Sequence, residues 1–287
     1  MKNNNHPARP GRSVGHSLPR LLLNGIPFVF SMASILPIVW LIMTTFKTSA
    51  QFEANVASLP KSLNLTNYVS VFSTTDIPLC MFNTARNTLI ALVLVVIGGF
   101  INGYFFSRFR FRFRGIMLGA YFCSLFIPVH ALLVPMYILM SKGGLTNHWY
   151  TTVLPMLAGE MTLATYLVMG YVSGIPRELE EAAAIDGSSF SRTMFSIIMP
   201  VARPILVTVG IVAFFHFWNE FTYSLVLISD NSLYTINLAI SCFKGETNVN
   251  YTEIMTAMTI AILPALTIYL FFSKYIIRGM IAGAVKG

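Results

Sequence analysis

Six stretches of this sequence are apolar and nearly uncharged: Leu21 to Phe46, Asn87 to Ser107, Gly115 to Ser141, Thr151 to Tyr171, about Pro204 to Ile228 and about Ile254 to Ser273. Each is long enough to cross a bilayer core, which takes roughly 20 helical residues. Inside hydrocarbon every backbone N–H and C=O must find a partner within the protein, so spanning segments are helices or closed barrels. The stretches are continuously apolar and do not alternate, which predicts helices. The expected fold is therefore an all-α integral membrane protein with six transmembrane helices. Only 10% of the 287 residues are charged and 55% are hydrophobic, which agrees. The first stretch is too long for a signal peptide and no small-residue cleavage site follows it, so it is expected to stay as a span.

Between the spans lie a basic tail (1–20), a mixed polar segment (47–81) and short turns. The formal net charge of +8 could point to nucleic acid, and Arg108, Arg110, Arg112 and Arg114 alternate with phenylalanines as some RNA-binding segments do. The distribution argues otherwise. Of the 19 Lys and Arg residues, 14 fall on the side of the N terminus and five (Lys47, Lys61, Arg86, Lys142, Lys244) on the other. Basic residues favour the cytoplasmic side. Both termini, including the tail 277–287, are thus expected in the cytoplasm, with 47–81 an extracytoplasmic loop containing some short helix and the bilayer, not nucleic acid, as the partner. Gly99 and Gly103 form a small-xxx-small pair that would let two helices approach closely. Pro128 and Pro135 are expected to kink the third span. Cys80, Cys123 and Cys242 have neither metal nor redox spacing.

The segment 174–203 is a polar island holding Arg177, Glu178, Glu180, Glu181, Asp186, Arg192 and Arg203. Pro176 can start a helix, and Glu178 to Glu181 suit its positive end. Ala182 to Ala184 keep the surface small, Gly187 permits a sharp bend, and Phe190 to Ile198 is expected to form a second short amphipathic helix. Pro200 and Pro204 mark the return to apolar sequence.

Glu181-Ala182-Ala183, three residues, Gly187, nine residues, then Ile-x-Met-Pro ending at Pro200 resembles the EAA loop of bacterial ABC importer permeases; Met199 stands where that family usually has Leu. Residues 82–276 resemble its type-1 transmembrane domain throughout. Arg-Phe-Arg-Phe-Arg-Gly at 110–115, Ile-Pro-Arg-Glu-Leu-Glu-Glu-Ala-Ala at 175–183, Phe-Trp-Asn-Glu-Phe at 217–221 and the tail from Arg278 are similar to the carbohydrate-uptake branch, the family of the smaller maltose-type permease. The resemblance implies the type I importer permease fold, in a bacterial cell membrane, as half of a permease heterodimer. Its partners would be an ABC ATPase dimer that binds ATP and Mg, and an extracytoplasmic sugar-binding protein. It also implies coupling to that ATPase through Arg177, Glu178, Glu181, Ala182, Ala183, Asp186, Gly187 and Pro200.

No phosphate-binding loop, His-Glu-x-x-His or Gly-x-Ser-x-Gly motif occurs, so a non-catalytic subunit is expected, with ATP hydrolysed by a partner and no metal site here. Trp218, Asn219, Glu220 and Glu160 are the candidate substrate-pathway residues. An aromatic face suits a sugar ring, polar groups suit its hydroxyls, and ionisable groups inside spans usually face cavities. The alternative is an interfacial Trp218 with Glu220 bracing neighbouring helices. His130 and His216 are expected to be packing histidines. A type I permease for another solute, and an ion-coupled secondary transporter, are the rival readings. The second would carry functional charge at the bilayer midplane, whereas here charge concentrates in one loop.

Overall fold

The computed structural model describes residues 17–243 and 249–284, with side chains over 25–243 and 249–272. The tail motif from Arg278 therefore lies outside the described side chains. In chain order the helices are α1 (Ser17–Thr44), α2 (Ser49–Ala54), α3 (Thr66–Thr74), α4 (Ile77–Arg108), α5 (Arg114–Ser124), α6 (Val129–Lys142), α7 (Val153–Ser173) and α8 (Glu178–Ile185). Next come α9 (Phe190–Arg192), a π-helical turn (Thr193–Ile198), α10 (Met199–Val201), α11 (Arg203–Trp218), α12 (Thr222–Leu227), α13 (Ile236–Cys242) and α14 (Tyr251–Ala284). Among the described residues four are long and apolar enough to cross a membrane: α1 over Gly25–Thr44, α4, α7, and α14 over Tyr251–Phe272. Two bent pairs, α5 with α6 and Phe190–Val201 with α11, make up to six if each counts as one span.

Three expected spans change shape. The second helix begins at Ile77, not near Asn87, because Asp76 caps it by accepting from Leu79 N at 3.0 Å and Pro78 fits its first turn. The third is broken, not merely kinked: α5 and α6 meet at 107°. Pro128 lies at this break as the residue that caps α6, while Pro135 sits within α6. The fifth ends at Trp218 instead of running to Ile228, since α12 starts anew after Asn219 to Phe221. The helical run from Phe190 reaches Val201, beyond the expected Ile198. Met199 N reaches back five residues to Met194 O, and this wide turn is followed at once by Pro200, which has no N–H to give.

The core gathers α4, α7 and α11. Val95, Phe100, Tyr104, Ala164, Val168, Val172, Val209 and Ala213 are buried in one cluster that extends to Ile198 and Ala202. The expected close approach at Gly99 and Gly103 is present. A Cβ on Gly99 would lie 2.6 Å from Ala164 Cβ, and one on Gly103 2.7 Å from Val168 Cβ and 2.8 Å from Met169 N. Gly98 adds a third site, with Met161 Cε 2.7 Å away. A second cluster joins α3, the start of α4, α13 and α14 through Val71, Ile77, Ile236 and Ala257. The segment preceding α3 is tied down by buried polar groups: Lys47 Nζ donates to Val56 O at 2.8 Å, and Asn67 Nδ2 to Thr45 O and Lys47 O at 2.8 and 2.7 Å.

Gly103→Ala should therefore destabilise the protein by about 1–3 kcal/mol through overpacking. Gly170→Ala, on α7 with nothing within 4 Å, should be neutral or stabilising by up to about 1 kcal/mol. Thermal unfolding in detergent distinguishes the two.

Candidate functional site

The last turn of α4 grips both arms of the polar island. Arg108, whose side chain is 6% exposed, places Nε 2.6 Å from Glu180 Oε1. Its Nη2 donates to Ile175 O at 2.9 Å, just ahead of α8. Arg177 Nη2 donates back to Arg108 O at 3.4 Å. On the other arm Phe190 lies 6.0, 5.8 and 5.9 Å from the rings of Tyr104, Phe105 and Phe109. One arm is thus held by a charge-assisted bond and the other by an aromatic cluster.

The bend between the arms is set by Gly187. Its φ is +74°, and Ser188 N donates to Ala183 O at 2.9 Å while Gly187 N donates to Ala184 O at 3.1 Å. This pair of bonds closes the C-terminus of α8 in the left-handed form that glycine takes without strain. Ser189 then caps the next helix by accepting from Arg192 N at 3.4 Å.

α8 consequently has two faces. Glu180 and Ala183 turn into the protein, Ala183 being 6% exposed. Glu178, Glu181, Ala182 and Ile185 are all exposed and fall at helical spacing along one side, Ile185 being 86% exposed. Asp186, Gly187 and Pro200 are exposed too. Of the two alanines that follow Glu181, Ala182 faces outward and Ala183 packs inward. Glu181 has no ion pair with Arg177 or Arg192 among the described residues; the paired acid is Glu180. The pairing of Arg108 with Glu180 was not read from the sequence, although an Arg closing one span and acids in the first turn of α8 were the signal available.

The substrate-pathway candidates separate. Trp218 is buried, not interfacial: its ring stacks on Phe214 at 5.6 Å and its Nε1 donates to Ala261 O at 3.0 Å. Glu220 accepts from Tyr223 N, Ser224 N and Ser224 Oγ, so it caps α12 and its carboxylate is occupied. Asn219 is exposed and donates to Phe215 O within its own helix. Glu160 pairs with His216 Nδ1 across α7 and α11. His216 is therefore no packing histidine: its side chain is 59% exposed, and His130 is exposed as well.

Arg108→Met and Glu180→Gln should each loosen α8 by about 1–3 kcal/mol, the range for losing a hydrogen bond to a charged group. Hydrogen exchange over residues 176–188 should rise in both variants, while α4 above Phe100 stays protected.

The chain is similar to known proteins along most of its length. Residues 11–282 match the family model described as binding-protein-dependent transport system inner membrane component. The probable ABC transporter permease YurM of Bacillus subtilis is 32% identical over 91% of this chain and 86% of its own. The sulfoquinovosyl glycerol transport system permease SmoH of Agrobacterium fabrum is 29% identical, over 92% and 95% respectively. A bacterial ABC transporter involved in import of the acidic polysaccharide alginate has a chain of the same fold, with a TM-score of 0.78, 19% identity, and coverage of 93% of this chain and 99% of that one. The match runs through the spans and the loop between α7 and α11, and this multi-pass membrane protein belongs to the inner membrane components of binding-protein-dependent transport systems.

Proposed function

We propose that this chain forms half of the transmembrane pathway of an ATP-driven importer for a sugar or oligosaccharide. A second permease completes the pathway, an extracytoplasmic binding protein delivers the sugar, and an ATPase dimer docks on α8. The relative SmoH, named for a sugar glycoside, supports the solute class. The observation that carries the docking is the outward row Glu178, Glu181, Ala182 and Ile185 on a helix fastened to the end of α4. The small Ala182 lets a groove come close to the backbone, Ile185 supplies apolar area, and the carboxylates supply polar anchoring. Arg177, Asp186, Gly187 and Pro200 set the approach and exit of the loop.

In this mechanism Mg-ATP is bound and hydrolysed by the partner. Closure of the ATPase dimer displaces α8, and because Arg108 and Phe190 join the loop to α4, the displacement reaches α4, α7 and α11 as one packed body. The pathway then alternates between its inward and outward openings. The excess of basic residues on the N-terminal side supports placing the loop and both termini in the cytoplasm.

A pull-down of the tagged chain from native membranes tests this. The unaltered protein should bring down an ATPase and a second permease. Gly187→Pro, whose φ of about −65° is incompatible with +74°, should lose the ATPase. Ile185→Asp leaves the bend intact and should lose it too. Recovery of the chain alone, or as a homo-oligomer, with uptake intact in all three would contradict the docking role.

A further inference from the structure

Trp218 Nε1 reaches Ala261 O, and Ala261 is about 15 Å along α14 from Tyr251 at 1.5 Å per residue. Ala261 lies inside the apolar run Ile254 to Ser273, away from both of its ends, so α11 ends within the membrane-crossing depth of α14. His216 and its partner Glu160 therefore sit deep in the bilayer region, yet the histidine side chain is 59% exposed. An ionisable pair at such depth is costly against lipid and belongs on a face that closes over a protein surface or a water-filled path.

The pair is only half used. With His216 Nδ1 and Glu160 Oε1 bonded to each other, His216 Nε2 and Glu160 Oε2 have no other partner among the described residues. Tyr223 Oη also lacks one there; it stands 3.9 Å from where a Cβ on Gly159, the chain neighbour of Glu160, would be. Glu220, the other acid nearby, is turned away to cap α12.

We infer that Glu160 and His216, flanked by Tyr223, form the hydroxyl-binding station of this chain's half of the pathway, and that its ligand is a neutral, polyhydroxylated sugar. With Nδ1–H donating to Glu160 Oε1, His216 Nε2 accepts from a sugar hydroxyl when the ring is neutral and donates to one when it is protonated, while Glu160 Oε2 accepts from a neighbouring hydroxyl of the same sugar edge. A carboxylate or sulfonate has no proton for Glu160 and would face its charge. Neither this pair nor its ligand class follows from the docking loop. The inference rests on the sugar-importer reading above.

The test uses the complete complex, co-expressed with its own partners and reconstituted in liposomes. Raffinose, maltose and lactose serve as neutral probes and sulfoquinovosyl glycerol as the anionic one. In the unaltered complex a neutral probe should be imported. Glu160→Ala and His216→Ala should lower sugar imported per ATP hydrolysed by about tenfold, as expected for loss of a hydrogen bond to a charged group. Complex yield and binding-protein-stimulated ATP hydrolysis should change by less than about twofold in the same variants, and Glu160→Gln should recover part of the import. Parallel loss of import and ATP hydrolysis would show a brace between α7 and α11 and overturn the station, as would unchanged coupling. Import of the anionic probe alone would overturn the ligand class while leaving sugar import standing. If no probe stimulates hydrolysis, the sugar reading itself falls, and the station with it.

Discussion

The hold of Arg108 on the loop is the interaction on which the coupling geometry depends. A guanidinium has five donors in a fixed fork, and here two of them reach Glu180 and the carbonyl of Ile175, a side chain and a backbone group on opposite sides of Pro176. Phe190 completes the hold from the other arm. A short helix of eight residues has little stability of its own. What fixes α8 is therefore its attachment, and the attachment point is the end of the longest completely described helix in the core.

That attachment transmits displacement only if α4 is itself embedded. Gly98, Gly99 and Gly103 bring its backbone against Met161, Ala164 and Val168 of α7 with no room for a further carbon. In a bilayer, where apolar area drives helix association weakly, such close contact is the main adhesive. α5 and α6 lie outside this unit: α5 buries no residue and α6 only Met140. The molecule thus divides into a dense body of α4, α7 and α11 with the loop at one end, and a loosely packed bent pair at its side.

Much of this was legible in the chain. Unbroken apolar runs imply helices whatever they pack against, so the all-helical class was legible, while the start of the second span, the break in the third and the early end of the fifth were not. The bend at Gly187 was legible because few residues besides glycine adopt positive φ without cost. The inward turn of Ala183 was not, since Ala182 and Ala183 are chemically identical and only the register of α8 separates them. Nor was the break after Trp218: Asn219-Glu220-Phe221 is compatible with a continuing helix until Glu220 is seen capping α12. Glu160 and His216 are 56 positions apart, and nothing local in either span announces that they meet. Tertiary pairings of this kind leave no periodic trace.

The most direct test of the coupling account is a photo-crosslinker placed at Ile185, the most exposed large apolar side chain described in the molecule, in the complex within native membranes. The account predicts an adduct with the ATPase subunit whose yield changes with nucleotide. Adducts confined to lipid or to the second permease, unchanged by nucleotide, would contradict it.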